Sequence, residues 1–342
     1  MRNPSLFSCV VLLALASAAS AHHSKTAHYD TSRTVAITGK VVQWRFRSPH
    51  TALILEVTAE DGSTERWLVE GSAVPTLKRQ GIDRRTFARG DIVDVRAEPS
   101  RDPEKRVVFG LTYRKADGTV LGERREVDEA AELDADIQGV QRLAGRWEGL
   151  GFGERFPMSL SAAGQEAKDN YDDARSPANT CEPVNLPMIL HVPNFLFDVR
   201  INDDEVILYH EIYHVVRKVP LGSEAQQAEP TGAFGSVRGR TDGDVLVVES
   251  SEYPASLWGL GIAAIKGSDI PASDQKRVTE RYISRDDGQT LRVEYTVEDP
   301  VYLSEPYQGY RDFGRISDDT PMHPYACDTE SASRFTELLK QE

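Results

Sequence analysis

A run of acidic residues divides this chain into two parts of different charge. Between Glu126 and Asp136 there are six Asp and Glu residues and no Lys or Arg. Residues 22–125 contain 19 Lys and Arg against 14 Asp and Glu, whereas residues 126–342 contain 20 against 40. This asymmetry favours two separately built domains, 22–125 and 143–342, joined by an acidic linker over residues 126–142. The acidic second part also argues against nucleic acid as a partner, because that affinity depends on cations that contact phosphates.

Residues 1–21 have the features of an export signal. Arg2 supplies the positive charge, residues 6–16 are apolar, and small residues then allow cleavage after Ala18, Ser20 or Ala21. The apolar run is too short to span a bilayer, and no later stretch approaches the required length. The sequence therefore predicts a periplasmic or secreted protein without a membrane span.

Removal of the signal leaves two cysteines, Cys181 and Cys327, near the two ends of the second domain. An even pair in an oxidising compartment predicts one disulfide bond. The alternative is a pair of buried free thiols.

The first domain shows the strand order of a small barrel. Apolar residues alternate along a long first strand and change phase near Gly39, which indicates a β-bulge. Two more strands, a short helix between Pro75 and Gly81, and two further strands follow. A bent first strand in this order is typical of an OB-like barrel.

Short motifs in the first domain carry a resemblance to known sequences. They are Ala21-His22-His23-Ser24, Tyr29-Asp30, Gly39-x-Val41, Pro49-His50, Trp67-Leu68-Val69-Glu70 and Gly90-Asp91-x-Val93. Over about residues 21–121 the chain resembles a family of exported bacterial domains of unknown function. Ser48 stands where that family usually has Asn before the Pro-His pair. The resemblance implies an exported β domain and no particular reaction.

The second domain is predicted to be a lipocalin-like β-barrel. Gly145-x-Trp147 on its first strand looks like the start of a lipocalin, in which the Trp plugs the closed end of the barrel. A helix over residues 162–171 and an irregular stretch to residue 185 depart from a simple eight-strand meander. Strands are then predicted up to residue 297, and a C-terminal helix with Phe335, Leu338 and Leu339 on its apolar face ends the chain. Four segments also look like a second exported β domain of unknown function: residues 179–183, 243–249, 280–282 and 325–327.

Three residues of the second domain are candidates for ligand binding. His210 and His214 belong to an H-E-x-x-H pattern, which binds zinc when it lies on a helix. The β-branched and aromatic neighbours instead predict one strand over Glu205–Val219, on which the two imidazoles lie ~13 Å apart and cannot share an ion. On that strand both histidines would face the barrel interior, either as satisfied core groups or as polar groups of a ligand cavity. Trp258 lies in a Gly-containing apolar stretch, which is expected to form either a lid or a loop packed on the barrel.

The mature N-terminus is a candidate copper site. Cleavage after Ala21 would make His22 the first residue, so that its amine and imidazole could chelate Cu(II). His50 is the favoured third ligand, with His23 and His28 as alternatives; cleavage after Ser20 would instead place His22 and His23 at positions two and three. The alternative is a terminus whose histidines bind nothing.

The sequence thus indicates an exported binding or accessory protein, which could hold a small apolar molecule in the second barrel. The alternatives are an enzyme that acts on a small apolar substrate there, with His210 or His214 as acid or base, and a copper-binding protein.

Overall fold

The structure is a computed structural model, and it describes residues 28–59, 61–122, 133–134, 136–155, 158–171, 177–221, 232–258, 260 and 270–333. Statements about what the molecule contains refer to these residues. The predicted signal segment, residues 126–132 and 135 of the acidic linker, and Phe335, Leu338 and Leu339 lie outside them.

The first domain is a closed five-stranded barrel with a short extra strand. Its elements are β1 (Val35–Arg45), β2 (Thr51–Thr58), β3 (Thr64–Gly71), α1 (Val74–Arg79), β4 (Ile92–Pro99), β5 (Val107–Lys115) and β6 (Val120–Leu121). The strands lie in the order β3-β2-β1-β4-β5-β6, and a parallel pairing of β3 with β5 closes the barrel. This arrangement confirms the predicted OB-like fold.

The long first strand bends as its sequence pattern predicts. The register of β1 against β2 shifts between Val41 and Gln43, which is the expected bulge. At Gly39 the strands approach so closely that a Cβ atom would lie 2.9 Å from the Glu56 carbonyl oxygen. Bending at these positions lets β1 pair with both β2 and β4 and enclose a core that includes Leu53 and Val93, both fully buried.

The second domain is a nearly closed barrel of nine strands. They are β7 (Gly145–Arg155), β8 (Leu196–Ile201), β9 (Glu205–His210), β10 (Val215–Pro220), β11 (Ser236–Asp242), β12 (Val245–Ser251), β13 (Arg277–Arg285), β14 (Thr290–Glu298) and β15 (Tyr307–Ile316). Helix α2 (Ala162–Asp169) follows β7, as predicted, and short 3-10 helices lie at Gly139–Leu143, Pro177–Thr180, Met188–His191, Ile212–His214, Gly232–Phe234 and Asp286–Gly288. The predicted lipocalin-like β-barrel is thus confirmed as a mainly β, nearly closed barrel, with nine strands.

The odd number of strands explains where this barrel is weakest. Neighbours in the order β10-β9-β8-β7-β15-β14-β13-β12-β11 are all antiparallel. A ring of nine strands cannot alternate in direction all the way round, so one neighbouring pair must be parallel. That pair is β10 and β11, which meet through a single parallel bridge between Leu221 and Gly239.

Trp147 of the Gly-x-Trp motif is held in an aromatic and cationic stack within the second domain. Trp147 is fully buried and donates its indole N–H to the Leu143 carbonyl at 3.1 Å. The guanidinium carbon of Arg315 lies 4.2 Å from the Trp147 ring centroid, and the same guanidinium donates to the carbonyl oxygens of Gly288, Ala144 and Arg142. The Gly-x-Trp motif thus lies on the first strand of this barrel with its indole buried, while closure of one barrel end by Trp147 stays a prediction.

The irregular stretch before β8 fills the upper part of the barrel. Leu186, Met188 and Leu190 are almost fully buried in the core of the second domain. Lys276 donates its ammonium to the Leu186 carbonyl at 3.1 Å, which ties this segment to β13. The described interior is consequently packed with side chains.

Two predictions about the strands of the second domain are wrong. The segment Glu205–Val219 is a hairpin of β9 and β10, with Tyr213 and His214 in left-handed conformation at φ 54°. His214 is therefore exposed, as is Val216, rather than facing the interior. Strand β15 was not predicted, although it pairs with β14 and β7 and joins the two ends of the domain.

The disulfide prediction is confirmed. Cys181 and Cys327 are bonded, with 5.9 Å between their Cα atoms and 146 positions between them in the sequence. In the part of the chain that the structure covers, no helix has the length and apolarity needed to cross a membrane.

Candidate functional site

Three of the first domain's motif residues meet at one place in the structure. Ala52 of β2 pairs with Glu70 of β3, and His50 lies just before β2. His50 Nδ1 is 2.7 Å from Glu70 Oε1, and the Tyr29 hydroxyl donates a short hydrogen bond to Glu70 Oε2. Tyr29 reaches this position because its backbone bridges to Ser100 at the end of β4. The result is a Tyr29–Glu70–His50 relay in which both carboxylate oxygens have a partner.

The exposed fraction of the three residues in this relay rises from Tyr29 to His50. Tyr29 is 1% exposed, Glu70 3% and the His50 side chain 33%. Burial, and then the neighbouring Glu70 carboxylate, raise the pKa of Tyr29 far above its usual value. Burial followed by Glu70 also raises the pKa of Tyr113. Tyr29 therefore stays a hydrogen-bond donor to Glu70 at any ordinary pH. The Glu70 carboxylate, oriented by Tyr29, in turn supports the buried side of the His50 imidazole.

The exposed side of His50 lines a small pocket between the two domains. This pocket has a volume of about 210 Å³. The first domain contributes His50, Glu70, Arg45 and Arg47, and the second contributes Asp328 and its neighbours Glu330 and Ser331. Arg47 Nη1 pairs with Asp328 Oδ2 across the pocket at 2.5 Å. The site is thus a concave polar surface that neither domain forms alone.

The proposed copper ligands are only partly described. Among the residues that the structure covers, no group of three His, Cys, Asp or Glu side chains is arranged to hold a metal ion. His22 and His23 lie outside those residues, whereas His50 lies within them. His28 is described, and its carbonyl accepts the Arg101 N–H at 2.8 Å.

His210 faces the interior of the second barrel, as predicted. Its ring stacks on Phe197 with centroids 4.4 Å apart, and burial, followed by the charge of Arg217, lowers its pKa well below the usual value. Within the described chain, His210 Nε2 is buried without a hydrogen-bond partner. Arg217 forms a buried bidentate pair with Glu280.

His214 and Trp258 do not join His210. The His214 ring lies on the β9–β10 turn, where Nδ1 contacts the Tyr209 hydroxyl at 2.8 Å and Nε2 accepts the Tyr325 N–H at 3.1 Å. Trp258 is 8% exposed and donates its indole N–H to the Glu182 carbonyl, so it packs beside the disulfide as a loop residue. The three predicted ligand-binding residues therefore occupy three separate environments.

Sequence reasoning missed the role of Glu211. This fully buried carboxylate lies at the junction of the two domains. Its Oε1 accepts Arg79 Nη1 of the first domain at 2.5 Å and the His323 N–H at 2.7 Å, and its Oε2 accepts the Leu196 N–H at 3.2 Å. The H-E-x-x-H pattern singles out this Glu, but nothing in the sequence identifies Arg79 as its partner.

Comparison with known proteins agrees with the first-domain motifs. No curated protein sequence matches the chain. Residues 10–109 match the model of a family of unknown function, DUF6152, a range that contains Tyr29, His50 and Glu70. The predicted similarity of the first domain to a family of unknown function is thereby confirmed, and a second β domain follows it.

Proposed function

We propose that this protein is an exported binding protein that holds Cu(II) with His50 and the histidines of its mature N-terminus. The observation that carries the proposal is the Tyr29–Glu70–His50 relay. Metal-binding histidines commonly present one ring nitrogen to a carboxylate, which fixes the tautomer and directs the other nitrogen to the metal. Glu70 Oε1 lies 2.7 Å from His50 Nδ1, close enough to serve as that carboxylate, and Tyr29 in turn orients Glu70.

The chain start can reach His50. Seven peptide units separate His22 from Tyr29, and they span up to ~25 Å when extended. The Tyr29 side chain already contacts Glu70, which contacts His50. Chain length therefore places no obstacle between the N-terminal amine and the His50 imidazole.

The donor set suits copper. Cleavage after Ala21 would expose an amine and an imidazole on the same residue, and His50 would add a second imidazole. Nitrogen ligands of this kind favour Cu(II), which binds more tightly than the other divalent ions of the first transition row.

The test begins with the mature N-terminus, which mass spectrometry of the exported protein should place at His22 or Ala21. Titration with Cu(II), followed by calorimetry and electron paramagnetic resonance, should then show one ion bound to nitrogen ligands. Glu70→Gln should weaken binding about 10- to 100-fold, as is usual for a residue that orients a ligand, and His50→Ala should weaken it further.

His323→Gln is the matched control. Its side chain is half-buried, and its backbone N–H, rather than its ring, contacts Glu211. This variant should bind copper like the wild type. Equal copper affinity in His50→Ala and wild type, or a native N-terminus elsewhere, would contradict the proposal.

A second candidate is the small apolar ligand of the second barrel. The buried His210 Nε2, which lacks a partner within the described residues, favours a bound group with a polar atom beside this ring. Such a ligand would have to displace packed side chains such as Leu190. Native mass spectrometry of the exported protein should show a bound small molecule that is lost in His210→Phe. A mass equal to that of the polypeptide alone would contradict this candidate, and with it the alternative of an enzyme that acts on such a molecule.

A further inference from the structure

The wall of the His50 pocket is formed by a C-terminal segment that crosses from one domain to the other. This segment, residues 321–333, is called the strap. At its start the His323 N–H binds Glu211 and the Tyr325 N–H binds His214. Tyr325 packs edge-on against Phe195, with ring centroids 5.4 Å apart. The first part of the strap is thus held by the second domain.

The second part of the strap lies on the first domain. Cys327 forms a parallel bridge with Ser48, and the Asp328 N–H donates to the Ser48 carbonyl at 2.9 Å. Ser48 is fully buried, and its hydroxyl accepts the Val74 N–H at the start of α1. The strap residues that line the pocket, Asp328, Glu330 and Ser331, come directly after this crossing point.

The covalent anchor of the strap is located at the crossing. Cys327 is bonded to Cys181, and the next residue is Asp328, which forms the pocket wall. The side-chain tie of the wall to the first domain is weaker: the Arg47–Asp328 pair involves side chains that are 59% and 22% exposed, and such exposed pairs hold little on their own. Cys181 and Cys327 are both half-buried rather than enclosed in the core.

We propose that the Cys181–Cys327 disulfide is a redox latch that holds the strap over the His50 pocket. A dithiol reductant would attack the bond through its thiolate and form a mixed disulfide, which its second thiol then resolves. Two electrons and two protons pass to the protein, which gains two thiols, while the reductant becomes a disulfide. The released strap then uncovers His50, and the pocket that the two domains form together is lost. The part of this proposal in which the latch regulates copper binding rests on the proposed function. The part in which the latch regulates access to His50 does not depend on it.

The experiment compares two forms of the mature protein: disulfide intact, and reduced with dithiothreitol and then capped with iodoacetamide at both thiols. Capping prevents free thiols from reducing or binding the added copper. Acylation of histidines by diethylpyrocarbonate is followed by peptide mass spectrometry. His50 should react more than about fivefold faster in the reduced form, because release of the strap should exceed the about two- to fivefold change that loss of one exposed ion pair alone would give.

His210 serves as the internal reference, because it is enclosed in the second barrel. It should stay unreactive in both forms, which shows that reduction has not unfolded the domain. An unchanged rate at His50, or a rise at His50 only together with His210, would overturn the latch. The double variant Cys181→Ser and Cys327→Ser should reproduce the reduced form.

Asp328→Asn, with the disulfide intact, separates the disulfide from the ion pair. It should raise the His50 rate less than reduction does; an equal rise would assign the wall to the ion pair and overturn the latch. Copper titration of the two capped and intact forms distinguishes the two proposals. If copper binds only the intact form, the result supports both the proposed function and the latch. If copper binds neither form but His50 reacts faster after reduction, the proposed function is contradicted and the latch is supported.

Discussion

The junction of the two domains depends on the Arg79–Glu211 pair, and its removal gives the most quantitative test of the structure. Glu211 is completely buried and Arg79 is 16% exposed at the side chain. Removing one partner of a buried ion pair costs about 3–5 kcal/mol, because the remaining charge is left in a low-dielectric site. In Arg79→Ala the Glu211 carboxylate keeps the N–H groups of His323 and Leu196, so we expect a loss of about 2–3 kcal/mol in the free energy of unfolding.

The partner variant should cost less. Glu211→Gln removes the charge and keeps one oxygen, and the partly exposed Arg79 can still bind water and the Asn194 carbonyl. A loss of about 1–2 kcal/mol is expected, and the double variant should show coupling of the two losses rather than their sum.

Urea denaturation followed by circular dichroism measures these changes, and scanning calorimetry shows whether the two domains unfold together. Weakening the junction should broaden or split a transition that is single in the wild type. Arg84→Ala is the matched control, since Arg84 is exposed in the same region and should change stability by less than ~0.5 kcal/mol. Equal stability of Arg79→Ala and Arg84→Ala would refute the assignment of this pair as the main link between the domains.

Three further predictions concern the linker, the cysteines and a buried lysine. Limited proteolysis should cut first between residues 123 and 142, and early cleavage elsewhere would contradict the domain boundaries. The folded protein, purified without reductant, should show no free thiol by titration with Ellman's reagent before reduction, whereas two titratable thiols would exclude the disulfide. Burial lowers the pKa of Lys276 to about 7 from its usual 10.5, so the unfolded chain binds one more proton between these values. The free energy of unfolding should therefore rise with pH across that window by about 1.4 kcal/mol per pH unit, and this gain should be lost as the pH falls towards 7. Urea titrations of Lys276→Met at several pH values should lack this slope. An unchanged slope would refute the assignment of the pH dependence to Lys276.

Much of the fold follows from local sequence patterns, and the exceptions have physical reasons. The bulge in β1 was predicted because the change of phase near Gly39 is visible along the strand itself. Strand β15 was missed because Gly309 and Arg311 occupy two of its inward positions, where an apolar period would be expected. Nothing within the strand indicates that a buried arginine faces the core. Only its pairing with β7 and β14 makes it a strand.

The candidate site was predictable as a set of motifs but not as a site. Tyr29, His50 and Glu70 were recognised separately, at spacings of 20 and 21 positions. They converge because the antiparallel register of β2 and β3 places His50 beside Glu70, while the bridge at Ser100 brings Tyr29 across. Asp328, which forms the pocket wall, is still further away in the sequence, because it belongs to the strap of the other domain. A contact of that kind depends on how two domains dock, for which the sequence carries no local signal.

The H-E-x-x-H segment shows how completely backbone geometry decides what a motif can do. On a helix its two histidines would share one face and its Glu could serve a bound metal. Here the left-handed turn at Tyr213 and His214 sends the three side chains in different directions. His210 enters the barrel interior, Glu211 binds Arg79 at the domain junction, and His214 accepts a hydrogen bond from the strap. The pattern therefore links three parts of the molecule structurally, and the polar chemistry that suits a ligand lies instead at His50, where a buried carboxylate supports an exposed imidazole.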